Sequence, residues 1–201
     1  MSRYTLFFNP MSRALIAKWA FAEVGVSPEL AMVEWDAKPA ALLAANPMGK
    51  LPTIIHHAPE GDRVVTEASA ICHYLAEMEA PDLLPHEEEK ADYFSWFFFA
   101  AGPIETAISN KAMGWEPKDA KQEGTVGFGS FTRVMDTLDN WFKVHDFVCG
   151  DRFTMADVYV GSQVDWGLNF GTMEARDSFK SYQERIQTRE AYRDSMDTIE
   201  G

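Results

Sequence analysis

The stretch Lys38-Pro39-Ala40-Ala41-Leu42-Leu43-Ala44-Ala45-Asn46-Pro47-Met48-Gly49-Lys50-Leu51-Pro52 decides how this chain is read. Pro39–Ala45 has the Ala/Leu composition of a short helix, and Asn46-Pro47 and Gly49 are turn residues that end it. Leu51–His56 then reads as a strand that begins through Pro52. Upstream, Glu29–Glu34 is another strand-like run, so the order is β-α-β, which implies a parallel pair. Further back, Tyr4–Phe8 is a run of β-formers stopped at Asn9-Pro10. Leu15, Ile16, Trp19, Ala20 and Val24 follow at helical spacing from Ser12, and Gly25 stands where a helix ends. Downstream, Arg63–Thr66 follows the turn residues Glu60-Gly61-Asp62. Ala70, Ile71, Tyr74, Leu75 and Met78 then mark a helix. A β-α-β unit followed by β-β-α thus fills residues 1–78.

Residues 79–88, with two prolines and little periodicity, read as a linker, and residues 89–201 read as helix throughout. The clearest stripe is Phe128, Phe131, Met135, Leu138, Phe142 and His145, which we read as a core face. The expected fold class is therefore an α/β N-terminal domain followed by an all-α domain.

The 201 residues contain 18 Lys+Arg and 31 Asp+Glu, a formal net charge of −13. An acidic chain argues against a general nucleic-acid or anionic-membrane binder, since both need a basic patch. The imbalance is uneven. Residues 1–78 hold 6 basic and 8 acidic residues, whereas residues 79–201 hold 12 and 23. The N-terminal part can receive an anion without strong general repulsion. Glu87-Glu88-Glu89 reads as the solvated first turn of a helix. No apolar run approaches the roughly 18 residues needed to span a bilayer, and the N-terminal segment is broken by Asn9, Pro10, Ser12 and Arg13 before a signal-peptide core could form. Cys72 and Cys149 form no CxxC and no metal-ligand spacing. The expectation is a cytoplasmic protein with two reduced, buried thiols and no metal. His56-His57 reads as a strand end.

Three segments carry a family resemblance. Asn46-Pro47-Met48-Gly49-Lys50-Leu51-Pro52 after its short helix, Thr66-Glu67-Ala68-Ser69-Ala70-Ile71, and Gly150-Asp151-Arg152-Phe153-Thr154-Met155-Ala156-Asp157 resemble motifs of the glutathione S-transferase family, in its bacterial theta/beta-like cytosolic form. The third reads as structural: Thr154 and Asp157, three apart, suit the start of a helix. The resemblance implies a thioredoxin-like N-terminal domain, an all-helical C-terminal domain and a homodimer. It also implies glutathione as co-substrate, a small hydrophobic electrophile as second substrate and a role in detoxification.

The resemblance carries residue roles as well. Leu51, before a Pro52 expected to be cis, would pair its backbone with the cysteinyl unit as an edge strand pairs with a peptide. Glu67 and Ala68, opening a helix, would hold the γ-glutamyl end through the carboxylate of Glu67 and the helix N-terminus. Ala68 departs from the family's usual Ser and removes one hydroxyl contact. Lys38 and Lys50 match positions that face the glycyl carboxylate, or are plain surface lysines. The thiolate-stabilising group would be Ser12 or Asn9, with Ser12 preferred because hydroxyl and helix N-terminus act there together. Tyr4 lies within a strand and is not expected to serve. The electrophile would lie between the loop around Met11 and the start of the helical domain, with Trp115 nearby. Part of the aromatic group Tyr93, Phe94, Trp96, Phe97, Phe98 and Phe99 would line that pocket, and most of it would pack between helices. Peroxide or disulfide reduction by glutathione would use the same first site. The competing expectation is a non-catalytic glutathione-transferase-like binding or protein-interaction module.

Overall fold

The computed structural model describes residues 2–197, which fall into two compact units. The first comprises residues up to Leu84 together with those from Thr188 onward, and the second runs from Pro85 to Gln187. Residues 1 and 198–201, part of the span expected to be helical, lie outside the described residues.

The first unit is built on a four-stranded sheet of β1 (Tyr4–Phe8), β2 (Glu29–Met32), β3 (Thr53–Ala58) and β4 (Gly61–Thr66), in the order β2-β1-β3-β4. Three helices are interleaved: α1 (Ala14–Glu23), α2 (Ala40–Ala45) and α3 (Ala68–Glu79). The parallel pair is β1 with β2, joined through α1, while β1–β3 and β3–β4 are antiparallel. Alternation along β1 decides what each face buries. Tyr4, Leu6 and Phe8 are sealed on one face, and Phe7 packs on the other with Val33 and Leu42 of α2. α1 ends as expected, with Gly25 at φ 68°, a conformation glycine adopts without steric cost.

Four strand ends differ from the sequence reading: β3 runs on to Ala58 and β4 starts at Gly61, inside the expected turn, because the hairpin ladder pairs those two residues, and two further ends shift as well. β3 begins at Thr53 and not Leu51, because Pro52 has no N–H to give to a ladder and pairing starts with Thr53 opposite Phe7 and Thr66. β2 stops at Met32, two residues early, although Val33 still donates its N–H to the Phe8 carbonyl at 2.9 Å.

The last helix, α10 (Glu190–Asp197), belongs to the sheet-containing unit, where it packs on α1. Trp19 meets Tyr192 edge to face at 5.1 Å. The Glu23 carboxylate, 3% exposed, accepts from Arg189 Nε at 2.7 Å, Arg189 Nη2 at 2.6 Å and Trp19 Nε1 at 2.8 Å. This division differs from the expectation of a sheet domain ending at 78 and a helical domain through 201. At the other boundary α3 extends through Glu79, whose carboxylate accepts from the Tyr4 hydroxyl and from Arg3.

The second unit contains α4 (Lys90–Phe99), α5 (Glu105–Met113), α6 (Ala120–Thr125), α7 (Phe131–Phe142), α8 (Met155–Asn169) and α9 (Asp177–Gln187). A π-helical turn, Ala100–Ile104, joins α4 to α5 around Gly102-Pro103. The predicted stripe is a core face: Phe128, Phe131, Met135, Leu138 and Phe142 are all buried, and His145, past the end of α7, is half-buried. α8 opens on the expected reciprocal cap. Thr154 N donates to Asp157 Oδ2 at 2.8 Å, and Thr154 Oγ1 accepts from Ala156 N at 3.3 Å. Asp157 also accepts from Val148 N and the Tyr182 hydroxyl, and burial pushes its carboxyl up to about 6 against the pull of those donors. The acidic run corrects in one respect. Glu87 and Glu88 are solvated, but Glu89 is mostly buried and paired with Arg152, which holds its carboxyl below the usual range. Of the two thiols, Cys72 is buried, while Cys149 is only half-buried, beside Thr154.

Candidate functional site

Apart from Lys38, which precedes α2, the sequence-predicted site residues of the first unit sit on three connections: the loop from β1 to α1, the loop from α2 to β3, and the start of α3. The first loop is shaped by Asn9. Its amide is 8% exposed, donates from Nδ2 to the Val33 carbonyl at 2.8 Å, and accepts from Met11 N at Oδ1 at 2.9 Å. Ser12 follows at the foot of α1, where its own carbonyl accepts from Leu15 N at 3.2 Å. The Ser12 hydroxyl donates to the Asn9 carbonyl at 2.7 Å and accepts from Ala14 N at 3.1 Å. Both proposed thiolate donors are thus buried and already hydrogen-bonded. Ser12 has a single proton to give, now held by a neutral carbonyl; the Asn9 amide is fastened at both ends. Met11 between them is 71% exposed.

Tyr4 is removed from consideration by geometry. It is fully buried, its hydroxyl is spent on Glu79 at 2.5 Å, and burial together with that carboxylate raises its phenol well above the ordinary value.

The second loop repeats the Asn-Pro-Met device of the first. Asn46 Oδ1 accepts from Met48 N at 3.1 Å, and Asn46 Nδ2 donates to the Lys50 carbonyl at 3.2 Å and to Thr53 Oγ1 at 3.0 Å. Asparagine followed by proline suits such a turn, because the side chain captures the backbone two residues on. Gly49 is required there: it stands at φ 58°, and a Cβ would lie 3.0 Å from Leu43 Cδ2 and 3.2 Å from Lys38 Cδ. The Lys38 side chain therefore lies across this loop. Both Lys38 and Lys50 are exposed, so their ammonium groups are free to meet an anion from solvent. The Leu51–Pro52 peptide is cis, as expected, with Leu51 half-buried just ahead of β3.

At the third connection the chain leaves β4 at Thr66 and turns into α3 through Glu67, which has φ 67° and ψ 124°. It is the one non-glycine residue with positive φ among the described residues. Such a conformation costs on the order of 1–3 kcal/mol and clusters at ligand sites. The Glu67 side chain is exposed and makes no cap bond to its own helix, while Ala68 behind it is buried. The α3 N-terminus therefore lacks a side-chain cap from Glu67, leaving backbone donors and the positive dipole end for a ligand. Ser69, one step on, is half-buried.

In the second unit Trp115 is 66% exposed and walls an open cavity of about 480 Å³ with Pro117, Lys121 and Val126. The aromatic group of α4 divides: Tyr93 and Phe97 are buried and stack at 5.2 Å, while Phe94 and Phe98 are exposed. Most of it is packing, as expected, with two rings left to the surface. Among the described residues no group of three or more His, Cys, Asp or Glu side chains is placed to hold a metal ion, and no helix is long and apolar enough to cross a membrane.

Sequence reasoning missed Asn46 and Thr53 as members of this site. The Asn-Pro pair was visible as a turn, but nothing in the sequence shows that the Asn46 amide reaches forward to Lys50 and Thr53.

Comparison with known proteins bears on the same connections. A family model for the glutathione S-transferase N-terminal domain matches residues 2–77, and one for the glutathione S-transferase C-terminal domain matches residues 103–189. A probable glutathione S-transferase of Nicotiana tabacum is 27% identical over 155 residues, 76% of this chain and 64% of that protein, so the match spans a little under two thirds of that relative's length. Glutathione S-transferase GstA of Escherichia coli O157:H7 is 23% identical over 200 residues, 95% of this chain and 96% of that protein. A glutathione transferase from Methylococcus capsulatus superposes with a TM-score of 0.77 at 24% identity, covering 97% of this chain and 98% of that one. A sphingomonad glutathione S-transferase complexed with glutathione gives 0.75 at 23%, covering 96% and 98%. At such identities the superpositions establish the fold: a thioredoxin-like sheet unit with a helical C-terminal domain. Because the two family models between them match most of the chain, and the first ends within the helix that Glu67 opens, the chain belongs to the glutathione S-transferase family.

Proposed function

We propose that this chain is a glutathione transferase that binds glutathione along the three connections of the sheet-containing unit and activates its thiol for attack on a small apolar electrophile. The observation that carries the reading is Glu67, held at φ 67° with its carboxylate free at the head of α3. A strained non-glycine residue is retained where a ligand needs it. In this reading Glu67 meets the α-amino group and the α3 N-terminus holds the γ-glutamyl carboxylate. The Leu51 backbone pairs with the cysteinyl unit, and Lys38 and Lys50 face the glycyl carboxylate. Met11, exposed on the loop from β1 to α1, is the residue of this unit that we assign to the electrophile. The protein works as a cytoplasmic homodimer in detoxification; family membership supports this, and a sedimenting species of about 23 kDa, the mass of one chain, would refute the dimer.

Ser12 is the thiolate donor. Its hydroxyl turns from the Asn9 carbonyl toward the sulfur, with the foot of α1 adding positive potential. Rate then comes from thiolate formation and proximity. Peroxide or disulfide reduction would draw on the same thiolate. A second reading has its own support. Ser12's only proton is already donated to a backbone carbonyl, and Ala68 lacks a hydroxyl, as suits a chain that binds glutathione without activating it.

Absorbance near 240 nm on adding glutathione at neutral pH separates the two. A rise that Ser12→Ala abolishes supports the enzyme. Binding without a rise supports the non-catalytic module, and a rise lost only in Asn9→Ala sinks the assignment to Ser12. With the thiolate established, a panel of chloronitrobenzene, cumene hydroperoxide and hydroxyethyl disulfide sorts the reaction type.

A further inference from the structure

We infer that Asn46 and Thr53 are positioning residues for the cysteinyl unit of glutathione, acting through the peptide group between Lys50 and Leu51; the inference rests on the reading of the preceding subsection. The two side chains close a ring with one backbone atom. Asn46 Nδ2 donates to the Lys50 carbonyl at 3.2 Å and to Thr53 Oγ1 at 3.0 Å, and Thr53 Oγ1 donates to the same Lys50 carbonyl at 2.9 Å. Asn46 is 7% exposed and Thr53 fully buried, so water competes little for these bonds. Each end of the ring is anchored in regular structure. Asn46 N donates to the Leu42 carbonyl of α2 at 2.7 Å, and Thr53 is the first paired residue of β3, opposite Phe7 on β1 and Thr66 on β4.

The carbonyl they grip belongs to the peptide plane that also carries the Leu51 N–H. In a trans peptide the C=O and N–H point in opposite directions. Among the described residues Leu51–Pro52 is the one cis bond, so Lys50–Leu51 is trans. Two donors holding the Lys50 oxygen inward therefore aim the Leu51 N–H away from the ring. Neither Asn46 nor Thr53 needs to touch the ligand. They fix the direction of a backbone donor in a loop of which Pro47, Met48 and Lys50 are exposed. Without the ring the plane is free to tilt, and the bond to the cysteinyl unit is made at an entropic cost or lost. One hydrogen bond of about 1.4 kcal/mol corresponds to a tenfold change in affinity.

The test measures glutathione binding by titration calorimetry, with thermal unfolding and thiolate absorbance at saturating glutathione, for the wild type and for Asn46→Asp, Thr53→Val and Thr53→Ser. Asn46→Asp keeps the acceptor for Met48 N but removes the donor; Thr53→Val keeps the shape but removes the hydroxyl. Both are expected to raise the glutathione Kd about tenfold and to leave the thiolate signal at saturation unchanged. Thr53→Ser is expected within twofold of the wild type. If Thr53→Val does not fold, Asn46→Asp and Thr53→Ser still decide the matter. A wild type that binds glutathione alongside variants that bind equally well, whatever their melting temperatures, overturns the positioning role. A wild type that does not bind glutathione overturns the functional reading itself.

Discussion

Replacing Glu67 with glycine should make the protein more stable and a worse glutathione binder, two effects that separate only if the residue is strained for its ligand. At φ 67° and ψ 124° a residue with a Cβ is held about 1–3 kcal/mol above its relaxed conformation. Glycine removes that cost but enlarges the unfolded ensemble by about 0.4–1 kcal/mol. The carboxylate is exposed and caps nothing, so no native contact is lost with it. The net expectation is a gain of about 1 kcal/mol, which raises Tm by about 2–4 °C for a chain of this size. In the proposed reading the same substitution would delete a charge-assisted bond to the ligand's amino group of about 1.5–3 kcal/mol, a loss of roughly 10- to 150-fold in affinity. Glu67→Ala is the control. It keeps the Cβ and the strain while losing the carboxylate, so its affinity should fall as far with no gain in Tm. Urea and thermal unfolding with calorimetric titration of glutathione read both axes. A Glu67→Gly protein that melts below the wild type would show that the backbone is not strained. Variants that bind glutathione within threefold of the wild type would show that the carboxylate does not face the amino group.

Arg189→Ala should strand the Glu23 carboxylate, 3% exposed, with the Trp19 indole as its remaining donor among those described above. A loss of about 3 kcal/mol in urea unfolding is expected, partly restored by adding Glu23→Gln, and an unchanged midpoint would disprove the coupling of α10 to α1. Asp157 gives a pH dependence whose sign follows from burial. Its carboxyl rises from an ordinary 3.8 to about 6 on folding, so between those values the native state holds a proton the unfolded chain has released. Its contribution is therefore full below about pH 4 and lost as pH climbs through 6, by on the order of 3 kcal/mol. The stability difference between the wild type and Asp157→Asn should fall across that window; a difference that rises instead would mean the donors from Val148, Thr154 and Tyr182 outweigh desolvation.

What could be read without coordinates was what local patterns encode. The order of strands and helices in the first 78 residues followed from period and punctuation, the end of α1 from Gly25, and the core face of α7 from residues spaced three and four apart. The cis bond before Pro52 came from the resemblance alone. What could not be read depends on partners distant in sequence. Glu23 and Arg189 stand 166 positions apart, and nothing in α10 marks α1 as the surface it covers. Helical periodicity says that a face is buried, not against what, so the last helix was assigned by adjacency to the helical domain. The Ser12 hydroxyl and the Asn46 amide were likewise visible as residue types, but the acceptors they turn toward are set by how the loops close.

Those acceptors decide how far thiol activation can go. In the proposed reading, a thiolate at the foot of α1 would compete for the single proton of Ser12 with the Asn9 carbonyl that now accepts it. A hydrogen bond to a charged partner is worth about 1.5–3 kcal/mol and one to a neutral partner about 0.5–1.5, so the exchange gains about 1–1.5 kcal/mol. The start of α1 adds about 0.3–1 kcal/mol. Together these lower a thiol from about 8.5 to about 7, where half of it is ionised at neutral pH. On the proposed assignment, a serine in this setting would therefore suffice for thiol activation at neutral pH but leave no reserve. The Asn9 amide, fastened to Val33 and Met11, holds the competing carbonyl in place and so sets the size of that exchange. On this reading, catalytic and purely binding versions of the site would differ by the orientation of one hydroxyl, a distinction of about 1–1.5 kcal/mol.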